Sequence, residues 1–345
     1  MMKSLQLVAP RTVELRELED PPTPGSDEVL VKLRAVGLCG SDMHWYSEGG
    51  CAGSDANYPM VLGHEPAGEI VEVGHGVEKL SSGMRVAVEP TISCGVCEKC
   101  VSGHFNLCDE SIFMGGFQMP GLLRQYAVVP TRNVSVVPET MSFTDAVVVE
   151  PLAVLLHTLE LAKLTPDDAV AIMGAGPIGL LAAAVTKQAG ASCVTIADRI
   201  PERLELAKKF GADAVVDFTK DSVSDAVYDM TNGKGAHIVI DAAGNAESVS
   251  DAIASARSGA TVVVVGIPSQ REVEVPLWQA MDKELKFHIQ KRSNNNDHEA
   301  ISMINRQLID ISPLVTHRFP FEQGDRAFQM VHDYSDGVCK AVIEL

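Results

Sequence analysis

The stretch AVAIMGAGPIGLLAAAV, residues 169 to 185, decides the fold of the second half of the chain. Its first five residues read as a buried strand, and GLLAAAVTKQAG after the glycines reads as a helix. GAGPIG fits G-x-G-x-x-G, in which Gly174, Gly176 and Gly179 permit a tight turn and a close approach of a pyrophosphate to the helix N-terminus. A membrane-spanning helix needs ~20 predominantly apolar residues. Here the glycines and the proline interrupt the apolar run, which argues against a membrane span. The sequence therefore predicts a strand, a dinucleotide-binding turn and a helix.

The next apolar run, CVTIAD, ends on Asp198. A carboxylate at this place can accept hydrogen bonds from the adenosine ribose hydroxyls and repels a 2′-phosphate, which favours NAD over NADP. Arg199 and Arg203 act in the opposite direction, because an arginine can hold a 2′-phosphate, so NADP is the alternative. A glycine-rich turn in an unrelated α/β fold is the other alternative.

Beyond this stretch, the chain shows two different sequence patterns, one on each side of about residue 150. Residues 151–290 alternate short apolar runs with helical stretches, which predicts a doubly wound parallel sheet. Residues 1–150 contain short valine-rich runs, such as EVLVKLRAVG and GEIVEVGHGV, broken by Gly and Pro, and this is typical of a compact β-barrel-like domain. The alternation fades after about 290, and the chain ends on the strand-like run CKAVIEL. We expect an α/β protein with two domains.

Composition narrows the classes of partner. The 345 residues carry a net charge of −18, with 46% hydrophobic and 21% charged residues. Such an acidic chain repels nucleic acid and anionic membranes, so neither is an expected partner. The N-terminus shows no charged region followed by a long apolar one, which predicts no signal peptide and a cytoplasmic location. In that reducing compartment, clustered cysteines are more often metal ligands than disulfides.

One such cluster is CGVCEKCVSGHFNLC, residues 94 to 108, which holds half of the eight cysteines. The spacing C-x2-C-x2-C-x7-C suits a tetrahedral zinc site with no open position, hence a structural one. An iron–sulfur cluster is an alternative, but the usual four-cysteine ferredoxin spacings differ. His104 could replace one cysteine, but we expect it at the surface. The predicted structural zinc ligands are Cys94, Cys97, Cys100 and Cys108.

A second constellation of metal-type ligands is dispersed along the chain. One thiolate, one imidazole and one or two carboxylates would make an open zinc site with room for water or an alcohol. Individually, each residue also suits an ordinary structural place, as a buried thiol, a core histidine or a surface carboxylate. Spacing alone does not assemble the members, which are Cys39, His64, Glu65 and Glu150.

Together, these motifs resemble the zinc-dependent medium-chain alcohol dehydrogenases along essentially the whole chain. GHEPAGEIVEVGHGV fits the zinc signature of that family, and CGSDMH, GHE, the cysteine cluster, EPLAV and GAGPIG follow in the family's order. The sorbitol (polyol) dehydrogenase branch is the most similar. Sugar-alcohol-phosphate and butanediol dehydrogenases are also similar, whereas EPLAV in place of DPFG argues against the threonine branch. The animal sorbitol enzymes lack the complete cysteine cluster, which many microbial relatives have.

The resemblance implies an architecture. Residues 1–150 would form a GroES-like β-barrel catalytic domain with the structural zinc lobe at about 90–110. Residues 151–290 would form a Rossmann domain that binds NAD. Residues 291–345 would return to the catalytic domain, and the chain would form a homodimer or homotetramer.

The resemblance also implies roles for individual residues. Zinc would be held by Cys39, His64 and Glu65, with Glu150 as a fourth ligand or as the holder of a zinc-bound water. The proton of a secondary alcohol would pass through Ser41 and the cofactor ribose to His44, while the hydride goes to NAD. Two zinc ions per chain are implied. The substrate would contact Trp45, Glu150 and Arg292. The implied cofactor contacts beyond the glycines are Pro177, Ile178, Asp198, Arg203, Val265, Gly266, Ile267 and Arg292.

Departures from the polyol branch leave the substrate open. Trp45 and Ser293 stand where that branch usually has tyrosine, and the text around Phe117 also differs. Polyols, sugar alcohols and diols are the expected substrates, with polyol phosphates, butanediol and L-threonine as alternatives. Two other classes are possible: a non-catalytic zinc- and NAD-binding regulator, and a zinc-free enone reductase. The relay residues Ser41 and His44 argue against the first, and the zinc ligands argue against the second.

Overall fold

The computed structural model describes residues 1–51, 53–116 and 118–345, so Phe117 lies outside the described residues. The chain divides into two units, and the second is formed by Val154–Ser293 with Gln307–Leu314. The sequence predicts boundaries after 150 and 290, and it does not predict that Gln307–Leu314 belongs to the second unit. The first unit comprises Met1–Ala153, Asn294–Arg306 and Val315–Leu345.

The described strands are numbered β1 to β20 in chain order: Met2–Ala9, Thr12–Leu18, Glu28–Gly37, Gly50–Cys51, Ser54–Asp55, Met60–Val61, Glu65–Val73, Arg85–Val88, Thr91–Ile92, Ile112–Phe113, Tyr126–Pro130, Val134–Val136, Ala169–Met173, Cys193–Asp198, Ala214–Asp217, Ala236–Asp241, Ala256–Val264, Lys286–Ile289, Val315–Pro320 and Lys340–Glu344. The α-helices α1 to α11 are Gly40–Met43, Glu98–Val101, Phe143–Ala146, Val149–Ala162, Pro177–Gln188, Pro201–Lys209, Val223–Met230, Ala246–Ser255, Leu277–Asp282, Asp297–Asn305 and Gly324–Asp333. A π-helical turn spans His44–Glu48, and 3₁₀ turns span Phe105–Leu107, Thr131–Asn133, Phe321–Gln323 and Ser335–Gly337.

The first unit is built on a seven-stranded sheet in the order β12-β8-β7-β3-β20-β19, with β11 also paired to β3. Along β3 the buried and less buried positions alternate, as expected for a strand with one face on a core. Val29, Val31 and Leu33 enter that core together with Ile70 of β7. Strands β19 and β20, from the end of the chain, thus lie in the same sheet as β3 and β7.

The second unit is a six-stranded sheet in the order β15-β14-β13-β16-β17-β18. All of its pairings are parallel, and helices follow most of its strands, so the predicted doubly wound sheet is confirmed. All five residues of β13 are buried, because central strands of such sheets are covered on both faces. The expected strand, turn and helix of residues 169 to 185 are β13, Gly174–Gly176 and α5. Within the described residues, no helix has the length and apolarity needed to cross a membrane.

Candidate active site and metal clusters

The four cysteines of residues 94 to 108 come together in the first unit, and their sulfur atoms form a compact group. The Sγ atoms of Cys97 and Cys100 are 3.5 Å apart, those of Cys97 and Cys108 3.9 Å, and those of Cys94 and Cys100 4.0 Å. A disulfide needs about 2.05 Å. Tetrahedral zinc with bonds of about 2.3 Å places its sulfur ligands about 3.8 Å apart, so the group fits this metal.

Backbone amides also point at this group. The N–H of Cys97 donates to Cys94 Sγ and that of Cys94 donates to Cys108 Sγ, each at 3.3 Å. Hydrogen bonds from the amides of Val96 and Cys97 lower the pKa of Cys94 to about 7. Donors of this kind stabilise thiolates, which are the form that binds metal. His104 is exposed and contacts Ser102, as the sequence predicts for a surface residue.

The dispersed cluster also assembles in the first unit. Ligand atoms of Cys39, His64 and Glu65 all lie within 4.8 Å of one another. Cys39 immediately precedes α1, His64 immediately precedes β7, and Glu65 is the first residue of β7. His64 and Glu65 are buried, with 4% and 1% of their surface exposed, whereas Cys39 is partly exposed. A thiol, an imidazole and a carboxylate are a donor set that zinc accepts with a position left open.

Asp42 holds two members of this cluster in place. Its carboxylate is completely buried and accepts hydrogen bonds from the N–H groups of Cys39 at 2.9 Å and Gly63 at 3.2 Å. It also lies 3.4 Å from His64 Nδ1. Burial alone would raise the pKa of Asp42, but His64 and the two amides outweigh it and leave the pKa below its ordinary value. A carboxylate behind a ligating histidine fixes the ring orientation and leaves the other nitrogen for a metal.

The predicted relay residues lie on the same short segment as Cys39. Ser41 Oγ is 3.2 Å from His64 Nε2, so its hydroxyl borders the ligand cluster. His44 Nδ1 is 3.0 Å from Glu48 Oε2 instead. Among the described residues, no hydrogen bond joins the side chains of Ser41 and His44. Trp45, with 6% of its surface exposed, packs in a hydrophobic cluster that includes Phe328.

Glu65 has a partner that sequence reasoning missed. Lys340 Nζ donates to both carboxylate oxygens of Glu65 at 2.6 Å and to the Leu38 carbonyl at 3.1 Å. The Lys340 side chain is 2% exposed. Burial alone would lower the pKa of Lys340, but Glu65 and Cys39 outweigh it and raise the pKa above its ordinary value. With Nζ 2.6 Å from both carboxylate oxygens, Lys340 and Glu65 form a buried ion pair.

Strand geometry explains how Glu65 and Lys340 meet. Gly37 of β3 pairs with Glu65 of β7 on one side and with Val342 of β20 on the other. A Cβ atom at position 37 would lie 2.1 Å from Glu65 Oε2. The glycine therefore leaves the space in which the Glu65 carboxylate lies.

Glu150, in the first turn of α4, belongs to the same electrostatic neighbourhood. Burial raises its pKa well above the ordinary value; His64 opposes this shift, while Glu65, Cys39 and Glu89 add to it. These interactions put Glu150 in the electrostatic neighbourhood of the dispersed cluster, but it is not among the residues whose ligand atoms lie within 4.8 Å of one another, and its role at the metal stays a prediction. A carboxyl group whose pKa is raised this strongly by burial and by its neighbours suits either a further metal ligand or a hydrogen-bonding partner of the substrate.

In the second unit, the glycine-rich turn has the shape that a pyrophosphate needs. A Cβ at Gly179 would lie 1.8 Å from the Gly174 carbonyl oxygen, so only glycine lets α5 pack against the turn. At Gly176 the nearest atom to a Cβ would be Arg203 Nη1 at 3.9 Å, so the space above the turn is open. Pro177 begins α5, and Ile178 follows it. The turn therefore fits a nicotinamide dinucleotide, with amide groups available to its phosphates.

Asp198 ends β14 and organises the same turn. Its carboxylate accepts hydrogen bonds from the N–H groups of Ala175 at 2.7 Å, Arg199 at 2.7 Å and Ile200 at 2.9 Å. The carboxylate is thereby held at the strand end, next to the glycines. Arg203, in α6, is buried.

Asp241 at the end of β16 positions the next predicted cofactor segment, a function that the sequence did not reveal. Its carbonyl accepts from the N–H groups of Val265 at 2.8 Å and Gly266 at 3.0 Å, and its carboxylate accepts from Gly244 at 3.2 Å. A Cβ at Gly266 would lie 2.3 Å from the Gly244 nitrogen, so the two turns touch. Ile267, the next residue, is 41% exposed.

Arg292 and Ser293 end the main stretch of the second unit. Arg292 has a φ of 55°, a left-handed conformation that is uncommon for arginine, and Ser293 is buried. Backbone outliers of this kind cluster at functional sites. Their contacts with substrate or cofactor stay predictions.

Two family models match the chain. One, described as the alcohol dehydrogenase GroES-like domain, matches residues 25–139. The other, described as a zinc-binding dehydrogenase, matches residues 177–305. Sorbitol dehydrogenase of Bacillus subtilis (strain 168) is 34% identical over 342 residues, covering 99% of this chain and 97% of the relative. L-Idonate 5-dehydrogenase of Vitis vinifera is 36% identical over 313 residues, covering 88% and 84%.

Solved structures are similar over the whole length. An alcohol dehydrogenase of Escherichia coli CFT073 complexed with NADH has a TM-score of 0.90 at 33% identity, covering 100% of this chain and 99% of that one. A zinc-binding dehydrogenase of Sinorhizobium meliloti 1021 bound to NADP has a TM-score of 0.89 at 30% identity, with the same coverage. Galactitol-1-phosphate dehydrogenase of Escherichia coli has a TM-score of 0.91 at 29% identity, covering 100% of both chains.

Fold, site and relatives agree on one class, that of dehydrogenases built from a GroES-like and a Rossmann domain. The chain belongs to the zinc-type medium-chain dehydrogenase family, in its polyol dehydrogenase branch.

Proposed function

We propose that this protein transfers a hydride between a secondary alcohol, which is a polyol, a sugar alcohol or a diol, and NAD. A catalytic zinc would be held by Cys39, His64 and Glu65, and a second, structural zinc by the four cysteines. The observation that carries the proposal is the 3.2 Å contact between Ser41 Oγ and His64 Nε2, beside three ligand atoms within 4.8 Å of one another. A proton acceptor at an open metal site suits alcohol oxidation, whereas a binding protein has no use for it.

When bound, zinc supplies a Lewis acid that makes an alcohol more acidic, and nicotinamide accepts the hydride. The protein's own residues do the rest. Ser41 would accept the alcohol proton while its own hydroxyl proton passes on toward His44 and solvent. Asp42 keeps the His64 ring in one orientation. His44, paired with Glu48 and 20% exposed, stands at the solvent side of the relay. Glu150 would be a further zinc ligand or would hold a zinc-bound water. Glu150, Trp45 and Arg292 are the residues that would recognise substrate hydroxyls.

The cofactor would be NAD, with NADP as the alternative. The turn Gly174–Gly179 would hold the pyrophosphate, and Asp198, whose carboxylate is held by three backbone amides, would lie on the side of the adenosine ribose. That charge disfavours a 2′-phosphate. Pro177, Ile178, Arg203, Val265, Gly266, Ile267 and Arg292 complete the cofactor site. This assignment is tested by measuring kcat/KM with NAD and with NADP. The ratio should favour NAD in the wild type and should be smaller in Asp198→Ala.

The substrate class is tested by NAD reduction over a panel of polyols, diols, polyol phosphates and L-threonine. Relatives that act on sorbitol, idonate and galactitol 1-phosphate by name motivate the panel. We expect turnover with free polyols or diols. Turnover with polyol phosphates alone would move the protein to the phosphate alternative.

Ser41→Ala tests the chemistry itself. Loss of the proton acceptor should lower kcat roughly a hundredfold to ten-thousandfold while two zinc ions stay bound. Ser41→Thr, which keeps the hydroxyl, is the matched control and should retain most of the activity. If the wild type binds NADH but oxidises no member of the panel, that result favours the alternative of a non-catalytic zinc- and NAD-binding regulator.

We also propose a homo-oligomer, a dimer or a tetramer, that forms through one edge of the parallel sheet. β18 is the edge strand, and its Ile289 is 74% exposed. Trp278 and Leu277 on α9 are 74% and 71% exposed. Exposed apolar side chains are typical of subunit contacts where they form one continuous patch, and we propose that these three do so. Light scattering on Trp278→Asp should show a smaller species than the wild type; an unchanged mass would exclude this edge.

A cytoplasmic, reducing environment is part of the same proposal. All eight cysteines are free thiols in the structure. Metal binding by five of them needs the reduced state.

A further inference from the structure

The ion pair between Lys340 and Glu65 has a geometry that a surface ion pair lacks. The ammonium group is equidistant from the two oxygens, at 2.6 Å from each, and it is anchored by the Leu38 carbonyl at 3.1 Å. The exposed fractions of the Lys340 and Glu65 side chains are 2% and 1%. Both charges are therefore out of water, and neither can be removed alone without leaving the other unpaired.

The position of the pair ties it to the metal cluster. Glu65 is one of three residues whose ligand atoms lie within 4.8 Å of one another. The lysine comes from β20, at the end of the chain, 275 residues after Glu65. Gly37, between them in the sheet, gives the carboxylate the room it needs. The carboxylate thus faces two cations, a fixed one in the protein and the proposed zinc.

We propose that Lys340 is a resident counter-cation of the metal cluster, which holds and neutralises Glu65 when zinc is absent and competes with zinc for the same carboxylate. This inference rests on the proposed function in one respect, the role of Glu65 as a zinc ligand. Two consequences have opposite signs. Lys340 stabilises the metal-depleted fold, because a buried carboxylate needs a partner. Lys340 also weakens zinc binding, because like charges repel strongly in a site of low dielectric.

The opposite effects of Lys340 on the stability of the metal-depleted protein and on zinc affinity distinguish this proposal from a purely structural role. A lysine that only supported the fold would, once removed, lower both stability and zinc affinity. If Lys340 is a counter-cation, its removal lowers the stability of the metal-depleted protein and raises the affinity for zinc. Lys340 is thus a positioning residue that makes the metal exchangeable without loss of the fold.

The test compares wild type with Lys340→Met, which keeps the length and removes the charge. Zinc affinity is measured by chelator competition and Tm by thermal unfolding, on full-length protein with and without added zinc. In Lys340→Met we expect the zinc dissociation constant to fall at least about tenfold. We expect the Tm of the metal-depleted protein to fall by about 10 °C and added zinc to restore most of it.

Two variants serve as controls. Lys340→Arg keeps the charge and should show nearly wild-type zinc affinity. Lys283, a partly buried lysine of the second unit, donates to the carbonyls of Ile253, Ala254 and Ala256. Lys283→Met should therefore lower Tm without changing zinc affinity.

The double variant Glu65→Gln with Lys340→Met covers the case in which Lys340→Met does not fold. Removal of both charges should restore folding without zinc, since no unpaired charge is left.

Unchanged or weaker zinc binding in Lys340→Met, or failure of the double variant to recover folding, overturns the proposal. If wild type binds zinc only at the cysteine lobe, the proposed function fails as well; if it binds two ions and Lys340→Met binds them unchanged, only this inference fails.

Discussion

Two clusters of metal-type ligands lie in the same unit, and the chain builds them in opposite ways. The four lobe cysteines fall within fifteen residues, and their own short turns supply the amide donors. Cys39, His64 and Glu65 come from two separate segments, and their orientation depends on Asp42 and on Lys340. A local cluster of four thiolates would surround a zinc ion completely, whereas a dispersed cluster of three ligands would leave one position open for a substrate. The less conspicuous cluster is therefore the one suited to chemistry.

The largest expected effect separates the clusters by activity. Cys39→Ser should lower kcat/KM on the order of a thousandfold or more, because a Lewis acid contributes several kcal/mol to such a reaction. Zinc analysis should show that one of two ions is lost while Tm changes little. Loss of both ions would mean that the two clusters are not independent.

The counterpart in the lobe is Cys100→Ser. Cys100 is buried, and its Sγ lies 3.5 Å from that of Cys97. Since a structural zinc contributes directly to folding, we expect a Tm decrease on the order of 10 °C and the loss of one zinc ion. The kcat of the protein that stays folded should be close to wild type, as measured well below the new Tm. A kcat that falls as far as that of Cys39→Ser would place the lobe in the chemistry.

A smaller effect concerns the support of the dispersed cluster. Gly37→Ala places a Cβ 2.1 Å from Glu65 Oε2, so the carboxylate must move, at a cost of about 1–3 kcal/mol in unfolding free energy. Zinc at the dispersed cluster should be released more readily in chelator competition, while the lobe zinc stays. Gly40→Ala is the control, since a Cβ there meets no atom within 4 Å. Equal behaviour of the two variants would contradict the packing described for Glu65.

The smallest effect tests how the lobe is attached. The Asn294 side chain donates to the Gly103 carbonyl and accepts from the Phe105 N–H, both at 2.9 Å. Asn294→Ala should cost about 1–2 kcal/mol, which chemical denaturation can measure, with both zinc ions retained. Ser102→Ala, which removes only the exposed contacts of the hydroxyl with the Lys99 carbonyl and with His104, should be nearly neutral. A loss of lobe zinc in Asn294→Ala would show that the lobe does not close by itself.

Local patterns account for what the sequence could predict. The parallel sheet follows from short apolar runs alternating with helices, and the nucleotide turn follows from GAGPIG between a strand and a helix. The cysteine lobe needs only its spacing. Glu150 and the dispersed ligands could be assembled only by family resemblance, because no local rule joins Cys39 to His64.

Long-range partners were beyond the sequence. Lys340 is a single basic residue inside the apolar run CKAVIEL, and nothing in that run indicates a partner 275 residues earlier. Asp42 is different, because it lies three residues after Cys39 within CGSDMH and was available as a signal. The assignment of Gln307–Leu314 to the second unit depends on tertiary packing, which a fading strand–helix alternation does not encode. Trp45 packs in a hydrophobic cluster, and its contact with substrate stays a prediction.

The most direct measurement of the central claim is anomalous diffraction on the two sides of the zinc absorption edge, from crystals of the zinc-loaded protein. We expect two zinc peaks per chain. One should lie about 2.3 Å from the sulfurs of the four lobe cysteines, and the other about 2.0–2.3 Å from Cys39 Sγ, His64 Nε2 and a Glu65 oxygen. A single peak at the lobe, or a second peak away from Cys39 and His64, would contradict the assignment of catalysis to the dispersed cluster.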